Sequence, residues 1–267
     1  MKTYLTIFKL KFMNNIQYRA AAIAGIFTQF FFGIVYIMVY LAFYKSSPNS
    51  SPMEWQELVN YLWLYQIFFS MVFIWQKDKE LLQMIKNGNI SYELCRPINF
   101  YKKWFATTYG TRISSLILRV VPITLIAVLL PQPYNLTAPK SLLSFIIFII
   151  SLVISSLLVT SVCMLFHIIT MYTIDERGIM TTLMVITELL SGGSIPLVFF
   201  PPLLKRIAYI LPFRYIADTP FRIYSGNISV TSAIPDLTIG IIWIVTLIGI
   251  GYILSNSATK KAIIQGG

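Results

Sequence analysis

Six apolar runs, each about as long as a bilayer is thick, constrain this sequence more than any other feature. They cover residues 20–44, 58–75, 113–130, 141–171, 179–200 and 237–256. A hydrocarbon core of about 30 Å needs roughly 20 apolar helical residues. Backbone groups have no water partners there, so a chain crosses as helices or as a closed barrel. Barrel strands alternate in polarity, whereas Phe145–Ile150 is apolar throughout. The sequence therefore predicts an all-α, polytopic membrane protein with six transmembrane helices.

Composition limits what else the chain can contain. Of its 267 residues 57% are hydrophobic and 12% charged, so six helices and their loops use nearly all of it. We therefore expect a single transmembrane domain over residues 1–267. The sequence has no G-x-x-x-x-G-K-[ST] phosphate loop, so any ATP would be bound by another polypeptide. One His and two Cys offer too few ligands or nucleophiles for a metal site or a catalytic triad, so neither is expected.

The positive charges are distributed unevenly. Fourteen of the 21 Lys and Arg precede span 1, follow span 6, or lie between spans 2 and 3 or 4 and 5; six lie on the other side. The positive-inside rule places the richer side in the cytoplasm, which predicts a multi-pass plasma-membrane protein with both termini cytoplasmic. The net charge of +11 is thus assigned to membrane orientation and to contact with lipid, not to nucleic acid.

Residues 2–18 show a mixed apolar and basic pattern. Leu5, Phe8 and Phe12 recur at helical spacing among three lysines, which is typical of an interfacial helix. A basic flank that only sets the orientation of span 1 fits equally well.

The segment 76–103, between spans 2 and 3, is the most informative cytoplasmic piece. It contains a short amphipathic helix with Leu81, Leu82 and Ile85 on one face, and Asn87-Gly88 then predicts a helix end because Gly accepts a left-handed conformation. Such a helix fits the groove of a soluble partner. A connector lying on anionic headgroups is the alternative.

Proline interrupts the apolar stretch after Gly192-Gly193. Pro196, Pro201, Pro202 and Pro212 make this stretch too broken for a straight span, although it is too apolar for a free loop. We predict a re-entrant hairpin over residues 198–222, between spans 5 and 6, whose backbone must be buried in protein.

Three ionisable groups fall inside predicted spans. They are Arg119 in span 3, His167 in span 4 and Glu188 in span 5. Such groups are costly in lipid and are candidates for function. Each residue also has a structural alternative. The Arg119 side chain would snorkel to the interface, His167 would be a neutral hydrogen-bonding residue, and Glu188 would tie helices together.

Two segments carry motifs. Residues 84–99 contain Gly88-x-Ile90 followed by Leu94-x-Arg96-Pro97, and residues 192–226 contain Gly192-x-x-x-Pro196-Leu197, Phe200-Pro201, Leu211-Pro212-Phe213 and Gly226. With the six-span layout, these motifs resemble those of the small six-span type-2 ABC exporter permease family, whose members are membrane subunits without an ATPase domain.

The resemblance implies half of a transporter. Two such permeases, identical or different, would pair and bind two cytoplasmic ABC ATPase subunits, which would hold Mg-ATP; this chain would need no cofactor. Residues 2–18 and about 78–87 would contact the ATPase, and residues 198–222 would shape an extracellular gate. The cargo would be amphipathic (a drug, peptide or lipid-like molecule) and the membrane that of a bacterium.

Patterns and resemblance together nominate two sets of site residues. The expected ATPase-coupling residues are Leu81, Leu82, Ile85, Lys86, Gly88 and Arg96. The expected residues of a translocation path or gate are Phe31, Phe69, Glu188, Pro196, Phe200 and Pro201. Aromatics such as Phe31 and Phe69 are also typical of lipid-facing or packing positions. An ATP-independent secondary transporter or channel that uses Glu188 is the alternative function.

Overall fold

The computed structural model describes residues 2–17, 19–46, 51–75, 78–173 and 178–261, and these form helices and connecting turns with no strand. The helices, in chain order, are α1 (Lys2–Ile16), α2 (Arg19–Ser46), α3 (Trp55–Val72), α4 (Lys79–Lys86), α5 (Ile90–Leu94), α6 (Phe100–Leu129), α7 (Leu142–Thr173), α8 (Gly178–Ser191), α9 (Pro202–Ile210), α10 (Asp218–Ser225) and α11 (Val230–Lys261). The predicted all-α class is confirmed.

Four of the described helices are long and apolar enough to cross a bilayer. They are Ala22–Ser46, Phe100–Leu129, Leu142–Thr173 and Val230–Lys260. The second and fifth predicted spans correspond to α3, of 18 residues, and α8, of 14 residues. A multi-pass membrane protein is thus supported, while the count of six spans stays a prediction.

Helix α3 lies at the centre of the bundle. It packs against α2, α6, α7 and α10, and 15 of its 18 residues are buried. The buried set includes the polar side chains of Glu57, Asn60 and Gln66. Because neighbouring helices cover α3, its sequence tolerates polar residues that a lipid-facing helix would not.

The bundle has two distinct ends. At one, called the α4 end, α1 lies along the start of α6, and α4 packs against α7. The Asn99 backbone N–H, one residue before α6, donates to Tyr4 Oη of α1 at 3.2 Å. At the other, called the α10 end, the start of α3 meets the 131–141 loop, and Lys140 pairs with Glu57 at 3.1 Å.

Several predicted boundaries differ from the helices. Helix α6 begins at Phe100 rather than near residue 113, because the Asn99 side chain caps it by accepting from the Lys102 N–H at 3.0 Å. Helix α8 ends at Ser191 rather than at residue 200, because Gly192 adopts a left-handed φ of +77°. The predicted stop at Gly88 agrees with its φ of +71°. Residue 18 of the predicted interfacial helix and residues 76 and 77 of the coupling segment lie outside the described residues.

Candidate coupling and gate sites

The apolar face of α4 is turned into the protein. Leu81 and Leu82 are 1% and 7% exposed. Leu81 packs in a cluster whose other buried members are Ile90, Phe100, Tyr101, Trp104, Met164, Ile168 and Ala258. This face therefore attaches α4 to α6 and α7, and in this conformation neither leucine is free to touch a soluble partner.

The remaining predicted coupling residues lie at or near the surface. Lys86 and Arg96 are exposed, whereas Ile85 and Gly88 are partly covered. The exposed surface also includes Gln83 on α4 and Tyr92 on α5, the latter 74% exposed. We call five exposed residues the α4–α5 platform: Gln83, Lys86, Asn87, Tyr92 and Arg96. Of these, the sequence had nominated Lys86 and Arg96 but not the other three.

Ion pairs hold the platform in place. Glu93 of α5 is buried and accepts from Lys103 of α6, and its other oxygen lies 3.3 Å from Arg96. Lys11 of α1 lies 3.4 Å from Glu80 of α4. The Lys11 pair is solvent-exposed and contributes little to stability. The Lys103–Glu93 pair matters more, because both side chains are largely covered and a buried carboxylate left without a partner is costly.

A buried arginine joins the end of α3 to α6 and α7. Arg112 of α6 is 0% exposed. Its Nη1 donates to the carbonyls of Met71 at 2.8 Å and Phe73 at 2.9 Å, and its Nη2 donates to Cys163 Sγ at 2.9 Å. These carbonyls lie at the C-terminus of α3, where backbone acceptors lack helical partners and a cation is favourable. Sequence reasoning had counted Arg112 among the cytoplasmic loop charges; the structure buries it.

His167 continues this junction towards α4. Its Nε2 accepts from the Asp78 backbone N–H at 3.2 Å, and its Nδ1 lies 2.6 Å from the Cys163 carbonyl oxygen. Because Nε2 accepts, the hydrogen is on Nδ1, which donates to that carbonyl, and the ring is neutral. Asp78 in turn caps α4, accepting from the N–H groups of Glu80 and Leu81. His167 thus holds the start of α4 against α7, which fits the alternative of a hydrogen-bonding role.

Arg112, Cys163 and His167 therefore link the end of α3 to the start of α4; we call them the α3–α4 junction. Cys163 and His167 are four residues apart on one face of α7. That spacing was visible in the sequence, but nothing in the sequence indicated that Arg112 lies beside them.

Two of the predicted path residues, Phe69 and Glu188, flank Tyr65 of α3. Tyr65 Oη donates to Glu188 Oε1 at 2.7 Å and lies 3.4 Å from Ser194 Oγ. The Tyr65 ring meets that of Phe69 edge to face, with centroids 5.6 Å apart. This arrangement links α3 to α8 and supports the tying role of Glu188. Phe31 is 63% exposed on α2 and meets the ring of Phe32.

The predicted gate prolines lie at helix starts at the α10 end. Pro196 precedes a single 3-10 turn, and Pro201 precedes α9. Proline suits these positions because its φ is already helical and no N–H is required. Phe200 packs beside a small cluster of Leu190, Leu197 and Ala208. The predicted hairpin 198–222 is therefore a chain of short helical segments; its depth in a membrane stays a prediction.

A polar network fastens these segments to α3. Glu57 accepts from Lys140 and, at 2.9 Å, from Asn227. Arg222 donates to Asn227 Oδ1 at 2.8 Å and pairs with Asp218 at 3.4 Å. Asp218 is almost fully buried and accepts from the Leu197 N–H at 3.0 Å. The α10 end is thus a hydrogen-bonded unit rather than a set of free loops.

Arg119 is half-buried between α6 and α2. A Cβ on Gly25 would lie 2.6 Å from its Cζ, so the guanidinium lies directly against the α2 backbone. One turn further along α2, Gln29 is buried, and neither polar atom of its amide has a partner among the described residues.

Comparison with known proteins gives one match. A family model described as "ABC-2 family transporter protein" matches residues 30–266. No curated protein matches the chain, and no solved structure does. Because the family match spans most of the sequence, the chain belongs to the ABC-2 family of transporter proteins, as a membrane component of the transporter rather than its ATPase.

Proposed function

We propose that the chain is the permease subunit of an ATP-driven exporter. It pairs with a second permease and with two separate cytoplasmic ATPase subunits, which bind and hydrolyse Mg-ATP. It exports an amphipathic drug, peptide or lipid-like molecule across a bacterial plasma membrane. In this proposal α3 and α8 complete six crossings, the α4 end faces the cytoplasm with both termini, and the α10 end faces outward.

The α3–α4 junction is the observation that carries this proposal. The platform ends in exposed polar and aromatic side chains, which suit a protein partner. At its base, Asp78 is bonded to His167 of α7. Arg112 in turn joins α7, at Cys163, to the end of α3. A partner that moves the platform therefore pulls on helices that cross the bundle, which is the kind of connection a coupling element needs.

The path residues fit the same mechanism. Phe69, Tyr65 and Glu188 lie together between α3 and α8. On α2, Phe27, Phe31, Met38 and Phe43 are exposed. In the proposal, exposed α2 side chains face the second permease or lipid, and the Tyr65–Glu188 contact alters when α3 moves. Aromatic walls suit an amphipathic cargo.

The test is recovery of an ATPase with the tagged chain from native membranes. Lys86→Glu reverses a charge on the platform. Lys45→Glu is the control: it reverses the charge of an exposed lysine near the end of α2, at the opposite end of the bundle. We expect Lys86→Glu to reduce the recovered ATPase about tenfold, as loss of a contact worth about 1.4 kcal/mol would. Lys45→Glu should leave recovery unchanged.

If equal amounts of the ATPase are recovered with the wild type and both variants, the platform is not part of the ATPase interface. If no ATPase accompanies even the wild type, although the chain transports cargo when a proton gradient is supplied, the alternative of a secondary transporter would stand instead.

A further inference from the structure

A cavity of about 960 Å³ opens at the α4 end between three helices. Its walls come from α1 (Tyr4, Leu5, Phe8), α6 (Tyr101, Lys102, Phe105, Ala106, Tyr109) and α11 (Ile248, Gly249, Tyr252). Six of these eleven side chains are aromatic. The volume lies at the upper end of the range for small-molecule sites, about 300–1,000 Å³. We call it the α1–α6–α11 pocket.

The pocket is apolar along its length and polar at its mouth. Tyr101, Phe105 and Tyr109 recur every four residues along α6, so they line one face over about 12 Å. Towards the middle of the bundle the wall includes Gly249, where an added Cβ would meet no atom within 4 Å. A mainly apolar space with polar groups at one end fits a hydrocarbon chain that carries a head group.

Hydrogen-bond donors gather at the mouth. Tyr4 Oη accepts from the Asn99 N–H, and Tyr252 Oη accepts from Asn99 Nδ2 at 3.4 Å. Both hydroxyls therefore lie beside one residue and keep their own hydrogens available to donate. The Tyr101 hydroxyl is not one of these donors, because it is buried against α11, where a Cβ added at Gly251 would lie 2.9 Å from it. Lys102 adds an ammonium group.

The mouth thus offers two phenolic O–H donors and one cation. Neighbouring α1 carries three lysines and no acidic residue, so the local field also favours an anion. Phosphate oxygens are the acceptors that such a set of donors fits.

We propose that the α1–α6–α11 pocket binds one anionic phospholipid of the cytoplasmic leaflet. One acyl chain runs along Phe105 and Tyr109 to Gly249, and the phosphate accepts from Tyr4, Tyr252 and Lys102. This site goes beyond the proposed function, since it requires neither an ATPase nor a cargo. The bound lipid fills the space between α1 and the bundle.

The experiment counts lipids bound to the purified full-length chain. The detergent-solubilised protein is mixed with equal amounts of phosphatidylglycerol and phosphatidylcholine of identical chains and examined by native mass spectrometry. We expect one tightly held phosphatidylglycerol per chain. Lys102→Gln should lower the preference for phosphatidylglycerol about fivefold, the effect expected for one basic residue near a lipid head group. Lys45→Gln, at an exposed lysine at the opposite end of the bundle, should have no effect.

A second pair of variants tests occupancy of the apolar part. Gly249→Phe projects a ring into open space, whereas Val245→Phe, one turn away on α11, enlarges a side chain that is 68% exposed. Gly249→Phe should abolish the tightly held lipid, and Val245→Phe should retain it. Thermal unfolding checks that both proteins are folded.

Two results would overturn the proposal. One is retention of the tightly held lipid by folded Gly249→Phe. The other is equal binding of the two lipids by the wild type, which would make the occupant any acyl chain rather than an anionic phospholipid. Should Gly249→Phe fail to fold, Tyr252→Phe still decides. It removes a hydroxyl that donates to the phosphate, so it should lower the preference for phosphatidylglycerol, and thermal unfolding checks that this variant is folded.

Discussion

Arg112 shows how a single side chain can define a junction between helices. A guanidinium at 0% exposure is tolerated only when its donors find acceptors. No ion pair with a carboxylate is formed by Arg112 in the part of the chain that the structure describes. Two backbone carbonyls and a thiol serve instead. The planar, forked guanidinium can reach all three acceptors at once, which a lysine cannot do.

Replacement of Arg112 should therefore destabilise the protein. Arg112→Met leaves the carbonyls of Met71 and Phe73 without donors, and each buried unpaired acceptor costs about 1–3 kcal/mol. The stability of Arg112→Lys should fall between that of Arg112→Met and that of the wild type. Arg96→Met is the matched control, because the Arg96 side chain is 59% exposed and its loss should cost under about 0.5 kcal/mol. Thermal unfolding in detergent measures all three variants; equal loss in Arg112→Met and Arg96→Met would contradict the junction.

Glu188 offers a second test at this scale. Glu188→Gln keeps an oxygen that accepts from Tyr65 Oη, whereas Glu188→Leu leaves that hydroxyl without its acceptor at 2.7 Å. We expect the Gln variant to retain ATP hydrolysis by the purified complex within about twofold and the Leu variant to lose about 1–3 kcal/mol of stability. Abolished transport in a fully assembled Gln variant, together with wild-type transport driven by a proton gradient without ATP, would favour the proton-coupled alternative.

Residue roles were the least predictable part of the site. The amphipathic pattern of Leu81, Leu82 and Ile85 correctly marked a face that is buried, but a pattern does not tell whether a partner or the chain itself covers it. The two leucines pack within this chain, and the exposed platform lies elsewhere on α4 and α5. Arg112 was treated as a loop charge because the start of α6 was predicted too late, near residue 113. Its acceptors belong to helices distant in sequence, which no local pattern reveals.

At the scale of elements, glycine and proline divide the segment between α8 and α11. Gly192 ends α8 at a φ of +77°, and the prolines at 196, 201, 202 and 212 begin or precede the next helical turns. The sequence indicated these interruptions correctly, because each acts through its own backbone. It overestimated the length of α8, since the apolar residues after Gly192 pack against α9 and the following 3-10 turn rather than continue the helix.

Gly192→Ala tests this division. A side chain at that φ costs roughly 1–2 kcal/mol. The added Cβ would also lie 2.9 Å from Asp218 Cβ, so either the backbone at Gly192 or the polar network that includes Asp218 must shift. We expect a loss of about 2–3 kcal/mol in unfolding free energy. Gly178→Ala is the matched change at the other end of α8, where a Cβ meets nothing within 4 Å; it should be close to neutral. Similar stability of the two variants in denaturant titration would contradict the strain at Gly192.

At the scale of the whole molecule, the central question is which end faces the cytoplasm. The positive-inside rule places the α4 end there and the α10 end outside. The native cysteines suit a labelling test, since Cys95 is exposed at the α4 end and Cys163 is buried. The order of the long helices was well predicted from apolar runs, whereas their packing was not, because the central position of α3 depends on contacts between distant segments.

Accessibility of cysteines in intact cells checks this orientation. Arg206→Cys places a thiol on an exposed position of α9, in a chain where Cys95 is changed to Ser. We expect an impermeant thiol reagent to label this variant from outside. The wild type, with only Cys95 exposed, should react only after the membrane is opened. Labelling in the reverse order would invert the topology.

The enclosure of α3 has a consequence for how the protein is made. Polar residues such as Glu57, Asn60 and Gln66 make it a poor match for lipid, and it acquires its full surroundings from α6, α7 and α10, which are synthesised later. Lipid alone therefore holds α3 weakly as it leaves the ribosome. We expect α3 to remain near the insertion machinery until α6 and α7 emerge. Nascent chains that stop between α3 and α6 would then be substrates for membrane quality control.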